Sequence, residues 1–445
     1  LGAYDWWQIG TALWHGGRML LVNPMLYVGT ALMFAESYRI SRQERGFFGF
    51  RLTRAWRSVV SRWGWALLFG LIASVVSVAA GVTLDVWGIG CVAILSLILT
   101  AIRLRFAATV YAIAILLALQ RIFAAFPVPG SDSWLGQLWL HLKAQSVAGW
   151  LAAAALCCLL EAALLFVNRY SHASPVYVQS KRGRAIGAWM SRLGFVVPVL
   201  WVEPGTLHLP QLTWPWPILG GLAAAGMTLT GITLAGMPLV VGHSGIYAGL
   251  LPQRAAGIRA LYQAGAGVLL AVLAFAAGHL HPGWAWAGVV VIILAQEVSL
   301  WHMHWLELAA DPLYAPVPNG VKVLAVVPGS VADAMGLRPG EVITHINQVP
   351  VETSYDLHFA LDQNPAYAKL QVYDARGEMR LVGKPVFSGE RAKLGLILAP
   401  DVPGLPTYRQ RRSGLFQMLY LKVRTSDNPY EEVFFDVDPA PPHTP

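Results

Sequence analysis

Apolar residues run in long, nearly unbroken stretches as far as residue 305, and beyond it they alternate with polar ones over short segments. A bilayer core about 30 Å thick needs about 20 apolar residues per spanning helix. Nine stretches meet or approach that length: 19–36, 63–83, 86–102, 106–126, 147–167, 186–202, 215–241, 263–280 and 284–302. The stretch at 186–202 is the weakest helix, because it contains Arg192 and Pro198. Residues 6–18 read as an interfacial helix: Trp6, Trp7, Ile9, Leu13 and Trp14 share one face, and His15 and Arg18 suit the bilayer centre poorly.

After residue 318 the period changes. Val321–Val326 alternates as a strand does, Pro328-Gly329-Ser330 is a turn, and Ser330 can cap a short helix over 331–335. A second turn, Gly336–Gly340, precedes a strand at 341–346 with Asn347-Gln348 as its turn. Thr353 or Ser354 caps a helix reaching Asn364, strands follow at 368–374 and 378–382, and a last strand runs 394–398. The expected organisation is a transmembrane domain at 1–305, a linker at 306–318, a small α+β domain at 319–400 and a tail at 401–445.

Composition agrees with two regimes. Of the 445 residues, 56% are hydrophobic and 13% charged, with mean hydropathy +0.52, against about a quarter charged in soluble domains. Cys91, Cys157 and Cys158 all lie in apolar runs, which leaves no disulfide framework or thiolate metal site in the soluble part. The chain begins at Leu1, and no basic stretch precedes the first apolar run, so no cleavable signal peptide is expected.

Orientation follows from lysine and arginine, because short loops rich in them stay in the cytoplasm. Sixteen of them fall on one side, in 37–62, at Arg103 and Arg105, in 168–192 and in 243–262, whereas the intervening turns hold only Lys143. The N-terminus is therefore expected outside and everything after residue 305 inside. Tryptophans such as Trp63, Trp87, Trp150 and Trp301 fall near span ends, where an amphipathic indole is most stable. The basic segment 37–62, with Phe47, Phe48, Phe50 and Trp56 among its arginines, reads either as a topology determinant or as a contact with anionic lipid. Nothing in the pattern points to nucleic acid or to a cofactor.

Three charges, Glu161, Glu297 and Arg121, sit inside spans near their ends. Such groups either serve an ion or proton path or pair within the bundle and snorkel to the interface. Two arrangements imitate protease chemistry. His302 and His304 are two apart, on different helix faces, and lack the H-E-x-x-H spacing that a zinc protease needs. Gly242-His243-Ser244-Gly245 resembles a rhomboid serine motif with His279 as base. The eighteen-residue span between them would hold the two about 27 Å apart. The chain is accordingly read as a non-enzyme, with an intramembrane protease or a protease-regulating membrane protein as the competing reading.

The string from Val321 to Asn347, with Pro328-Gly329-Ser330, Gly336-Leu337 and Gly340-Glu341-Val342-Ile343, resembles bacterial PDZ domains over about 80 residues. The expected fold is an α-helical polytopic membrane domain, from the apolar stretches, followed by a PDZ-like α+β domain, which the resemblance implies adds a peptide as an extra strand. A carboxylate loop is missing before Val321, but Lys393-Leu394-Gly395-Leu396 has its form, so a circularly permuted order is expected. The peptide-binding candidates are Lys393, Leu394, Gly395 and Leu396, with Arg391 or Lys393 adding charge, facing Ser354, Leu357, His358 and Leu361. The alternative is a closing strand that binds nothing. The tail combines basic Arg409, Arg411 and Arg412, an apolar stretch at 415–421 and an acidic end, and reads either as a partner-binding strip or as a segment folding back.

Asn23–Tyr27, Tyr38–Arg45 with Phe48-Gly49-Phe50-Arg51, and Pro312–Pro316 leading into Gly320–Leu324 together resemble MinJ-type cell-division topological determinants. That resemblance implies a scaffold at septa and poles. It would join a DivIVA-type coiled-coil protein to the MinD ATPase, which holds MinC, the division inhibitor that keeps FtsZ rings from assembling near poles and fresh septa.

Overall fold

The computed structural model describes residues 6–49, 51–52, 54–128, 133–171, 173–180, 184–207, 232–364, 366–374, 376–386, 394–401 and 407–408. Helices α1 (Trp6–Val22) and α2 (Pro24–Phe48) meet at a 55° bend. Pro24 cannot donate to the turn before it, and the Asn23 side chain accepts from the Met25 amide at 3.0 Å, so the break is capped. One interfacial helix and a span over 19–36 were expected; the break falls instead at Asn23, and the second helix runs on through much of the basic segment.

The membrane helices continue with α3 (Ala55–Ala80), α4 (Val86–Ile102), α5 (Thr109–Ala125), α6 (Trp134–Lys143) and α7 (Val147–Val167). Helix α3 shows how such an element distributes its residues. Leu67, Leu68, Leu71, Ile72, Val75 and Val76 point outward, and Ala66, Gly70, Ala73, Ser74 and Ser77 are buried. Large apolar side chains are at home in lipid, so the packed face is the one whose small residues let another backbone come close.

What comes close to α3 is a sheet. Strands β1 (Ala173–Gln179), β2 (Ala185–Leu207) and β3 (Ile232–Tyr247) form an antiparallel sheet in the order β1-β2-β3. The span expected at 186–202 is therefore a strand. Of the span expected at 215–241, residues 232–241 are strand and the rest lie outside the described residues. Val196, Val197, Val199 and Val202 are β-branched, and Pro198 would break a helix in its middle. A fully apolar run buried on both faces carries no period that tells strand from helix.

A sheet edge cannot face hydrocarbon with open amides and carbonyls. Here helices pack along both edges, α3 on β2 and α1 on β3, and supply single polar partners. Pro198 and Pro238 stand opposite each other in register, and neither has an N–H to satisfy. Along β2, Arg62 donates to the Gly194 carbonyl at 3.3 Å, and the Ser74 hydroxyl accepts from the Leu200 amide at 2.9 Å. Val202 exchanges main-chain bonds with Val82 and Leu84 at 3.2 and 3.0 Å. Along β3, Thr109 Oγ1 accepts from the Val240 amide at 2.8 Å, and His15 Nδ1 lies 3.1 Å from the Leu234 carbonyl. Phe195, Val197, Val199, Trp201, Met237 and Leu239 are buried in the main core.

Helices α8 (Pro252–His279) and α9 (Ala285–Ala309) complete the membrane part. Among the described residues, α3, α7, α8 and α9 are long and apolar enough to cross a membrane; the bent α1–α2 pair makes a fifth, and α4 and α5 are shorter apolar helices.

The C-terminal domain follows the sequence reading closely. It contains β4 (Val321–Val326), α10 (Val331–Ala334), β5 (Val342–Ile346), β6 (Val349–Pro350), α11 (Ser354–Gln363), β7 (Tyr367–Tyr373), β8 (Met379–Pro385) and β9 (Leu396–Leu398). The sheet order is β8-β7-β5-β4-β9, with β6 pairing β5. Asn347 and Gln348 both have positive φ, 50° and 73°, as a two-residue turn in a twisted hairpin demands. Thr353 caps α11 in a reciprocal box with Asp356.

Candidate peptide-binding groove

Strand β9 is the last strand of its sheet, and the permuted order leaves it beside α11. Ala399 donates to the Lys322 carbonyl and Val327 to the Gly395 carbonyl, both at 2.8 Å. Main-chain groups alternate sides along a strand, so with 395 and 399 bonded to β4 those of Leu396 and Leu398 point to the outer edge. Gly395 has φ +79°, and a Cβ there would collide with the Ser330 side chain. A glycine is needed to turn the chain into β9 at that point.

The candidate residues separate into three groups. Leu394, Leu357 and Leu361 are buried in the core of the domain, with Leu396 partly buried against them. His358 is exposed on α11. Ser354 is engaged by Asp401: the carboxylate accepts from the Ser354 amide and, at 3.0 Å, from its hydroxyl. Lys393 and Arg391 lie outside the described residues.

Two residues at this site escaped the sequence reading. Asp401 ties the chain after β9 to the start of α11, 47 residues away. Tyr177, from β1, donates its hydroxyl to the Leu398 carbonyl at 3.0 Å. Burial, with the charge of Asp401 adding to it, pushes the Tyr177 phenol up to about 12, so it is a neutral donor at physiological pH. Neither contact has a local signal, because both join distant parts of the chain.

A PDZ domain model matches residues 322–369. The chain is 25% identical over 400 residues to the cell division topological determinant MinJ of Bacillus subtilis, covering 88% of this chain and 96% of that protein. It is 28% identical over 235 residues to the probable MinJ of Lacticaseibacillus paracasei, covering 51% of this chain and 59% of that protein. The chain is MinJ-like. It is also 29% identical over 84 residues to the mitochondrial serine protease HTRA2 of Drosophila erecta, covering 19% of each chain, a likeness of the PDZ part alone. No solved structure matches it.

Within the membrane part of this MinJ-like chain, two of the three charges singled out from the sequence, Glu161 and Glu297, are paired, whereas the buried Nε of Arg121 meets no acceptor among the described residues. Arg259, counted in a cytoplasmic turn from the sequence, is a buried residue of α8. It lies 2.8 Å from Glu161 of α7 and donates to Ser299 at 2.7 Å and to Gln296. Arg105 pairs with Glu297, which also accepts from the Tyr111 hydroxyl at 3.1 Å. Arg62 is likewise buried, bonded to Ser37 and to the Met33 carbonyl.

The protease-like constellations come apart. Ser244 lies on β3, opposite Arg192. His279 is the last residue of α8, bonded to the Phe275 carbonyl at 3.0 Å, so the length of α8 separates the two. His302 is 3.0 Å from the Tyr262 hydroxyl. Among the described residues no three His, Cys, Asp or Glu side chains gather where a metal could sit.

Proposed function

We propose that this chain is a membrane scaffold that positions regulators of cell division, with its PDZ groove taking an extended peptide from a partner. The observation that carries the peptide part is the outer edge of β9, whose Leu396 and Leu398 main-chain groups face away from the sheet beside α11. Strand addition supplies affinity through main-chain bonds, and Leu357, Leu361 and Leu394 supply an apolar floor for a side chain. The division role rests on likeness to MinJ over nearly the whole of both chains. The partners that this likeness suggests are a DivIVA-type coiled-coil protein and a MinD-type ATPase with its inhibitor. The basic residues between α2 and α3, Arg51 and Arg54, are suited to anionic lipid.

The scaffold reading puts the PDZ domain in the cytoplasm, as the arginine distribution suggests. A hairpin that enters and returns on one side changes the crossing parity no more than the two spans it replaces, so the arginine argument keeps its conclusion. Bands at septa and poles from a fluorescent fusion, lost on Gly395→Trp, support the scaffold; a uniform membrane signal overturns it. Retention of MinD and DivIVA homologues on the immobilised chain tests the bridge.

A further inference from the structure

We propose that the membrane domain competes with peptides for this groove: the Tyr177 hydroxyl occupies the Leu398 carbonyl that an added strand would use. The inference rests on the groove reading above. A peptide whose carboxylate sits at Gly395–Leu396 pairs first with Leu396 and, two residues along each strand, with Leu398. Leu398 offers one outward carbonyl there, and Tyr177 donates to it. At the far end Asp401 ties the chain after β9 to Ser354.

The tyrosine is held in place from several sides. Its ring meets Phe48 edge-on at 5.3 Å and Phe47 at 6.2 Å, and its carbonyl accepts from the Tyr408 amide at 2.6 Å. Around it the two domains are docked. Gly187 of β2 donates to the Tyr314 carbonyl at 3.0 Å, and Leu324, Ala325, Ile397 and Ala399 pack on Phe48, Leu52, Tyr177 and Trp189. The face of β9 that carries Ile397 thus lies on the membrane domain, and its edge is stopped by Tyr177. The partner that fits is a free, apolar C-terminus long enough to reach Leu398, and its binding displaces Tyr177.

The test uses the full chain in nanodiscs. An array of decapeptides ending in a free Leu or Val is screened against Tyr177→Phe, and the strongest binder is titrated by fluorescence anisotropy. The phenylalanine keeps the ring packing and removes only the donor. The expected result is about fivefold weaker binding to the parent than to Tyr177→Phe, the worth of one net hydrogen bond, with loss in Tyr177→Phe/Gly395→Trp. Gly187→Leu, whose side chain would meet Tyr314 and Leu324, separates the docked faces and is expected to raise affinity likewise. Equal affinities of parent and both variants, lost on Gly395→Trp, overturn the competition and leave the groove standing. If no array member binds any of these proteins, the groove reading and the competition fall together.

Discussion

Arg259 sits at the centre of a buried polar cluster of the membrane part, and its partners come from α7 and α9. A buried charge is costly without its counter-ion, whereas an apolar pair of similar volume often costs little. Glu161→Ala is therefore expected to destabilise the solubilised protein by about 3–5 kcal/mol. Glu161→Leu combined with Arg259→Met should recover most of the loss, as read from denaturation midpoints in detergent. A double variant no better than the single one would show that the pair does more than neutralise itself. Asp356 offers a residue-scale test in the soluble domain. It accepts from the Thr353 hydroxyl at 2.8 Å and amide at 2.9 Å and from the Glu352 amide at 3.2 Å, and these bonds hold its carboxyl below the ordinary aspartate range. The amides of Glu378 and Arg376 do the same for Asp374. A lowered folded pKa means that stabilisation is complete above the unfolded value, about pH 4, and is lost as pH falls through the folded one. Protection of the α11 amides against hydrogen exchange, taken relative to the intrinsic rate at each pH, should fall on acidification below about pH 4, and Asp356→Asn should flatten that response.

At the level of elements, the β2–β3 hairpin is the feature that hydropathy reads as two spans. Its stability depends on helices that supply both apolar cover and single polar atoms at the edges. Ser74→Ala keeps the packing but leaves the Leu200 amide without an acceptor in an apolar surround, at a cost of about 1–3 kcal/mol. Ser74→Thr, which retains the hydroxyl, should lose much less in the same thermal melt. Gly70 has no room for a side chain, because a Cβ there would run into the Pro198 carbonyl. Gly70→Val should accordingly separate α3 from β2 and lower the yield of folded protein in detergent, while Gly64→Val, on the same helix in open space, should not.

For the whole molecule, the docking of the PDZ domain on the membrane sheet links two parts that composition presents as independent. Orientation belongs to this scale. In a Cys91→Ala background, Arg376→Cys in the exposed turn between β7 and β8 should react with an impermeant maleimide only after the cell membrane is opened. Labelling of intact cells would place the domain outside and remove the cytosolic scaffold. Cys157 and Cys158 are buried in the bundle and should stay silent in either case.

The PDZ domain was legible in the sequence almost element by element, because its turns demand particular residues and its strands alternate. Val321–Val326 is strand in both readings, and the helix expected over 354–364 ends one residue earlier. The helices at 86–102 and 147–167 were legible for another reason: an apolar stretch of that length has few ways to satisfy its backbone in lipid. The hairpin was not, since a run buried on both sides looks the same as strand or helix until its neighbours pack along its edges. Of the candidate groove, Leu394, Gly395 and Leu396 are suggested by a local motif, whereas Asp401 and Tyr177 make contacts across 47 and 221 residues of chain. Local pattern determined which segments are apolar, which turn and which alternate. Only the tertiary structure decided which polar groups meet, because burial makes a pairing obligatory without saying in advance which partner will be near.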